Sequence, residues 1–191
     1  MRSLKLSKWG ALLALAVAMG ATRFGHLGTL WAPPDASWAV FFLAGFYLRE
    51  ERWVLPVLLC EAIVIDFVAI RAYGVSSYCV TGAYWFIVPG YSMLWLGGAW
   101  LRRHLRQRPG DALRLAGSVL AAFTACYVLT QGSFYWLGSR IAQPSVSGWW
   151  ANFASWYGPF LLVTGTYIGL VAVAHLAVTR WSPARAGLRA R

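Results

Sequence analysis

Apolar runs long enough to cross a bilayer recur along this chain, separated by connections too short to fold into anything of their own, and that spacing limits the architecture more than any motif does. Crossing a bilayer as a helix takes about 20 mostly apolar residues. Runs of that kind fall at 8–22, 36–49, 53–73, 80–101, 112–138 and 156–180. The expectation is an all-α integral membrane protein, a single six-helix transmembrane domain over residues 1–191 with no room for a soluble domain. A composition that is 59% hydrophobic and only 12% charged agrees, lying outside the soluble globular range. No internal repeat, low-complexity tract or linker interrupts the pattern, and the longest polar stretch, 103–111, reads as a loop.

The net charge of +11 is a statement about orientation. Short loops rich in Lys and Arg stay on the cytoplasmic side. Of the 17 basic residues, 14 fall on one side of the expected membrane: Arg2, Lys5, Lys8, Arg49, Arg52, the group Arg102, Arg103, Arg106, Arg108 and Arg114, and the tail Arg180, Arg185, Arg189 and Arg191. Arg23, Arg71 and Arg140 remain for the other side. Both termini are expected in the cytoplasm, and polybasic loops flanking spans point to topology and away from nucleic acid.

The basic start, the apolar run from Trp9 to Met19 and the Ala16-Val-Ala18 step resemble a signal peptide, yet this stretch is expected to stay as a first helix. Its spacings Ala14-x-x-x-Ala18 and Ala16-x-x-x-Gly20 form a smooth face, suited to packing within the bundle or to a partner protein. The second span is short. Asp35 can cap it after Pro33-Pro34, and about 14 residues at 1.5 Å each cover two thirds of a roughly 30 Å hydrocarbon layer. Its far end then starts below the surface, where irregular backbone needs protein or a water-filled cavity around it, so 31–35 is expected to help form an outward recess. Pro89-Gly90 and Gly158-Pro159 can kink the fourth and sixth spans.

Chemistry is expected at that outward end. Cys79 lies between two spans, whereas Cys60 and Cys126 fall mid-span as packing positions, too far for a disulfide; Cys79 is therefore a free thiol, able to act as nucleophile or soft-metal ligand. The outer ends of the other spans carry hydroxyls, amides and rings: Ser76, Ser77, Tyr78, Thr81, Tyr84, Trp85, Thr130, Gln131, Ser133, Tyr135, Asn152 and Ser155. These suit a neutral, amide-rich ligand, although Tyr and Trp also gather at any membrane interface. Two carboxylates lie within the third span, roughly 140° apart on a helix, which argues against a paired acid–base device. Asp66 shares the side of Cys79 and is a ligand-site candidate or a partner for Arg71 or Arg140; Glu61 reads as a packing residue. His26 is a loop histidine, and no spacing of a dedicated zinc or di-iron site occurs.

The run Val75-Ser-Ser-Tyr-Cys-Val-Thr-Gly-Ala-Tyr-Trp85, six short-looped helices and a small-residue first helix resemble BtuM, the solitary cobalamin-specific S components of ECF-type transporters, over essentially the whole chain. The resemblance implies an S-component-like bundle in a bacterial cytoplasmic (inner) membrane, binding cobalamin and importing it. In that family the cysteine after the third helix ligates cobalt, a role that carries over to Cys79 and no further; Asp66 and Tyr84 look like pocket residues by position, and Tyr78, Trp85 and Gln131, from the polar and aromatic set of this sequence, are expected to line the same recess. A soft thiolate suits a transition metal in a macrocycle. With Cys79 on the lower face, the upper cyano ligand would be labilised, so decyanation of cyanocobalamin is implied as a secondary activity; the cobalt supplies the chemistry and the protein the ligand and orientation. No Walker motif is present, so an ATP-driven step would need a separate ECF energising module.

Two other classes fit the residues. One is a membrane thiol oxidoreductase, disfavoured by the lack of a second nearby cysteine. The other is a small proton-coupled transporter using Glu61 and Asp66, disfavoured by the lack of repeat symmetry.

Overall fold

The computed structural model of the chain describes residues 7–23, 33–73, 81–106, 110–138 and 141–188, with Tyr73 and 179–188 by backbone alone. All regular structure among them is helical: α1 (Lys8–Arg23), α2 (Ser37–Leu48), α3 (Val54–Tyr73), a 3₁₀ turn (Gly82–Phe86) that leads into α4 (Ile87–His104), α5 (Asp111–Leu137) and α6 (Val146–Leu188).

α2 is the axis of the bundle. It is apolar on every face, and a helix of that kind belongs inside; ten of its twelve residues are buried. It packs mainly on α4, which packs on α5, while α1 lies against α2 and α3. The α2–α4 contact is made by missing side chains. A methyl group on Gly98 would sit 1.9 Å from the Phe42 carbonyl oxygen, and one on Gly45 2.0 Å from that of Trp95. Two backbones come this close only where both helices lack a Cβ, the small-residue device of membrane helices. Gly97 and Gly90 extend it to α5, where added methyls would lie 2.4 Å from the Ala122 Cβ and 2.8 Å from the Thr130 Cγ2. Ser118 of α5 donates to the Gly97 carbonyl at 2.8 Å.

α6 is attached differently. Large rings join it to α5 and α2: Tyr127 meets Phe153 and Tyr157 edge-on at 4.9 and 5.2 Å, and Trp38 meets Phe160 at 5.4 Å. Tyr127 also donates to the Phe153 carbonyl. Most of the remaining surface of α6 as far as Val178 is apolar and exposed, including Leu162, Leu170 and Val173; so are Trp9, Leu13 and Val17 of α1 and Val57, Val64 and Phe67 of α3.

The helices follow the expected runs with three differences. α6 starts ten residues before the expected 156 and continues through Gly158-Pro159 to Leu188, with the rings of Phe153, Tyr157 and Phe160 packed on α5 and α2 across that stretch. Pro89 falls in the first turn of α4, where its missing N–H costs little, and Gly90 serves packing. Cys60, expected in the packing, lies exposed on α3, whereas Cys126 is fully buried as expected. Among the described residues, α5 and residues 146–178 of α6 are the helices long and apolar enough to cross a membrane, by length and composition. α1 and α2 are shorter, α3 carries Glu61, Asp66 and Arg71, and α4 ends on Arg102, Arg103 and His104.

Candidate functional site

The N-terminus of α2 lies deep in the bundle. Its Trp38 ring packs on Phe123 and Tyr127, at least ten residues before the last residue of α5, or about 15 Å along that helix. Tyr167, 21 positions beyond the start of α6, donates to the Pro34 carbonyl at 2.8 Å. Twelve residues give α2 about 18 Å, too little to span the bundle, as the sequence predicts.

At this recessed end Arg23, the last residue of α1, is buried among four elements. Its Nε donates to Asp66 Oδ1 at 2.7 Å and its Nη2 to Asp66 Oδ2 at 2.6 Å, the two-pronged geometry that a guanidinium makes with a carboxylate. Its Nη1 donates to the Ser37 hydroxyl at 2.9 Å and to the Tyr91 hydroxyl at 3.1 Å, and lies 3.6 Å from Asp35 Oδ2. Tyr84, in the 3₁₀ turn, donates to Asp66 Oδ2 at 2.8 Å. Asp35 Oδ1 accepts from the Ser37 amide and hydroxyl at 2.8 and 2.6 Å, so Asp35 holds the first turn of α2 from just outside it, Ala36 being the N-cap. Thr22 links the same point to α1, its hydroxyl accepting from the Ala36 amide.

Local sequence explains how α3 contributes. Leu58, Ala62, Ile65 and Ala69 repeat at helical spacing and are buried, leaving Glu61 and Asp66 half-buried on opposite shoulders of that stripe. Asp66 therefore meets Arg23, while Glu61 faces Gly20, whose added methyl would come 3.9 Å from Glu61 Oε1. The partners expected for Asp66 were Arg71 and Arg140. Arg71 instead lies over the Phe67 ring at 5.4 Å, a turn away on the helix, and Arg140 lies outside the described residues.

Cys79 and Tyr78 also lie outside the described residues, as do Ser76, Ser77 and His26. The description resumes two residues after Cys79. Thr81 caps the 3₁₀ turn through the Ala83 amide, Ser133 of α5 donates to the Ala83 carbonyl at 3.3 Å, and Tyr84 is tied to Asp66. The turn is thus held from α3 and α5. Trp85 is exposed, and Gln131 is half-buried on α5 apart from the network. Several hydroxyls expected for a ligand serve the bundle: Thr130 donates to the Cys126 carbonyl, Tyr135 to that of Ser145 and Ser155 to that of Ala151. No group of three metal-ligating side chains occurs among the described residues. Two concavities, a groove of about 670 Å³ along α5 and a pocket of about 270 Å³ between Lys8, Trp9 and Trp53, lie away from Arg23.

Sequence reasoning missed Arg23, Ser37 and Tyr91. One signal pointed to Arg23: a basic residue standing against the charge bias at a helix end needs a counter-charge nearby. No protein-family model matches the chain, and no curated protein matches it.

Proposed function

We propose that the protein is a cobalamin-binding uptake protein of a bacterial cytoplasmic membrane, with six helices embedded and a ligand recess opening outward above the N-terminus of α2. The observation that carries this reading is the recessed start of α2, floored by Arg23, Asp35, Asp66 and Tyr84, with Tyr84 five residues after Cys79 in the chain. Irregular backbone and charge at membrane depth are tolerated where protein or water surrounds them, and such residues mark ligand paths. The apolar outer surfaces of α1, α3 and α6 support contact with lipid. Lys8, Arg49, Arg102 and Arg114 belong to the opposite end, which supports that end as cytoplasmic.

In this reading Cys79 ligates cobalt from the lower face of the corrin, displaces the vitamin's own base and labilises an upper cyanide. Tyr84, Tyr78, Trp85 and Gln131 line the recess. Asp66, committed to Arg23 and Tyr84, acts from the floor. An ATP-driven import step would draw on a separate energising module.

The test is the absorption spectrum of cyanocobalamin mixed with purified protein. Wild type is expected to give a base-off, thiolate-ligated spectrum followed by loss of the cyano bands, and Cys79→Ser neither, because a hydroxyl is hard and stays protonated. The same change with Cys79→Ser would remove the reading.

A further inference from the structure

Resting on the cobalamin reading, we propose that the floor of the recess selects neutral amide side chains of the ligand over carboxylates, and that Asp35 is the residue that carries this selectivity. The argument begins with acceptors. Asp66 is filled on both oxygens, by the Arg23 fork and the Tyr84 hydroxyl. Among the described residues Asp35 is filled only on Oδ1, by Ser37; its Oδ2 stands 3.6 Å from Arg23 Nη1, beyond hydrogen-bond length. The Asp35 side chain is 28% exposed, against 7% for Arg23. A carboxylate with an open oxygen at this depth requires water or a donor. An amide NH₂ supplies a donor, whereas a carboxylate supplies only a further acceptor.

Charge points the same way. Arg23 contributes one positive charge and Asp35 and Asp66 one negative charge each, leaving the floor at one net negative charge. The N-terminus of α2 adds roughly half a positive unit, so the sum stays negative. A ligand carboxylate about 6 Å from half a net unit, at an effective dielectric near 20, is disfavoured by roughly tenfold in affinity. Asp35→Asn keeps the Oδ1 acceptor that Ser37 uses and removes the charge.

The experiment compares cyanocobalamin with its isomeric monocarboxylic acids, each carrying one hydrolysed peripheral amide, by titration of the purified protein. Wild type is expected to bind at least one isomer about tenfold more weakly than the vitamin, and Asp35→Asn, whose floor carries about half a net positive unit in place of half a negative one, to remove that deficit or reverse it. Equal binding of every isomer by wild type, or an unchanged deficit in a folded Asp35→Asn protein, would overturn the inference. The N-methylamide made from the weak isomer needs no variant: it should regain the affinity of the vitamin, and binding as weak as the acid's would show the deficit to be steric and defeat the proposal. The two readings separate cleanly, because wild type that binds every isomer alike keeps the cobalamin reading, while wild type that binds no cyanocobalamin removes both.

Discussion

Two ion pairs tie α1 to the chain of α3, one at each end, and both link residues 43 positions apart: Lys8 with Glu51, in the turn just before α3, and Arg23 with Asp66 within it. Both partners advance by 15 residues from one pair to the other, as they must when α1 and α3 run in the same direction with α2 returning between them. Lys8 is 68% exposed and Arg23 7%. The exposed pair is screened and holds two flexible side chains in place, so it contributes little. The buried pair has lost its water and is stable only because each donor and acceptor meets a partner, so removing one member leaves the other charged and alone. Equal sequence bookkeeping thus hides unequal energetics, and burial decides between them.

The upper end of the scale is set by a contact with no charge. Gly98→Ala and Gly45→Ala each drive a methyl group to within about 2 Å of a carbonyl oxygen of the facing helix, where no side chain can move aside. Neither variant is expected to yield monodisperse protein in detergent; either one purifying with a wild-type melting curve would show that α2 and α4 slide freely. Next comes Arg23→Met, which leaves Asp35 and Asp66 without their cation and should cost about 3–5 kcal/mol in unfolding free energy. A cost near that of Lys8→Met would erase the contrast between the two ends. Tyr84→Phe removes one of three donors to Asp66 and should cost about 1–3 kcal/mol, with a modest loss of cobalamin affinity measured by titration.

The smallest effect belongs to the exposed end. The hydrogen bond from Lys8, then that from Trp53, holds the Glu51 carboxyl below its ordinary range. A depressed carboxyl stabilises the fold above its ordinary pKa, and that contribution disappears as pH falls through the folded value. Glu51→Gln should therefore melt slightly below wild type at neutral pH and coincide with it in acid. A melting difference that grows on acidification would show that the pair is not what separates the two proteins.

What could be read locally was read well. The helical class, the shortness of α2 and the first turn held by Asp35 follow from apolar run length and capping chemistry, properties that neighbouring residues determine. The boundaries of α6 did not, because Ser147, Asn152 and Ser155 in its first turns and an internal Gly158-Pro159 look like interruptions until the Tyr127 ring of α5 packs on Phe153 and Tyr157 across them.

Only the assembled bundle chose the partner of Asp66. Arg71 lies five residues away and Arg23 lies 43 away, yet the α3 stripe of Leu58, Ala62 and Ile65 turns Asp66 inward and the end of α1 delivers Arg23 to meet it. The same packing left Cys60 outside and Cys126 inside, two thiols that a hydropathy profile treats alike. Periodicity along a helix is a local property of the chain, whereas which face meets which neighbour is fixed by where glycines let backbones close and where a buried charge finds its counter-charge.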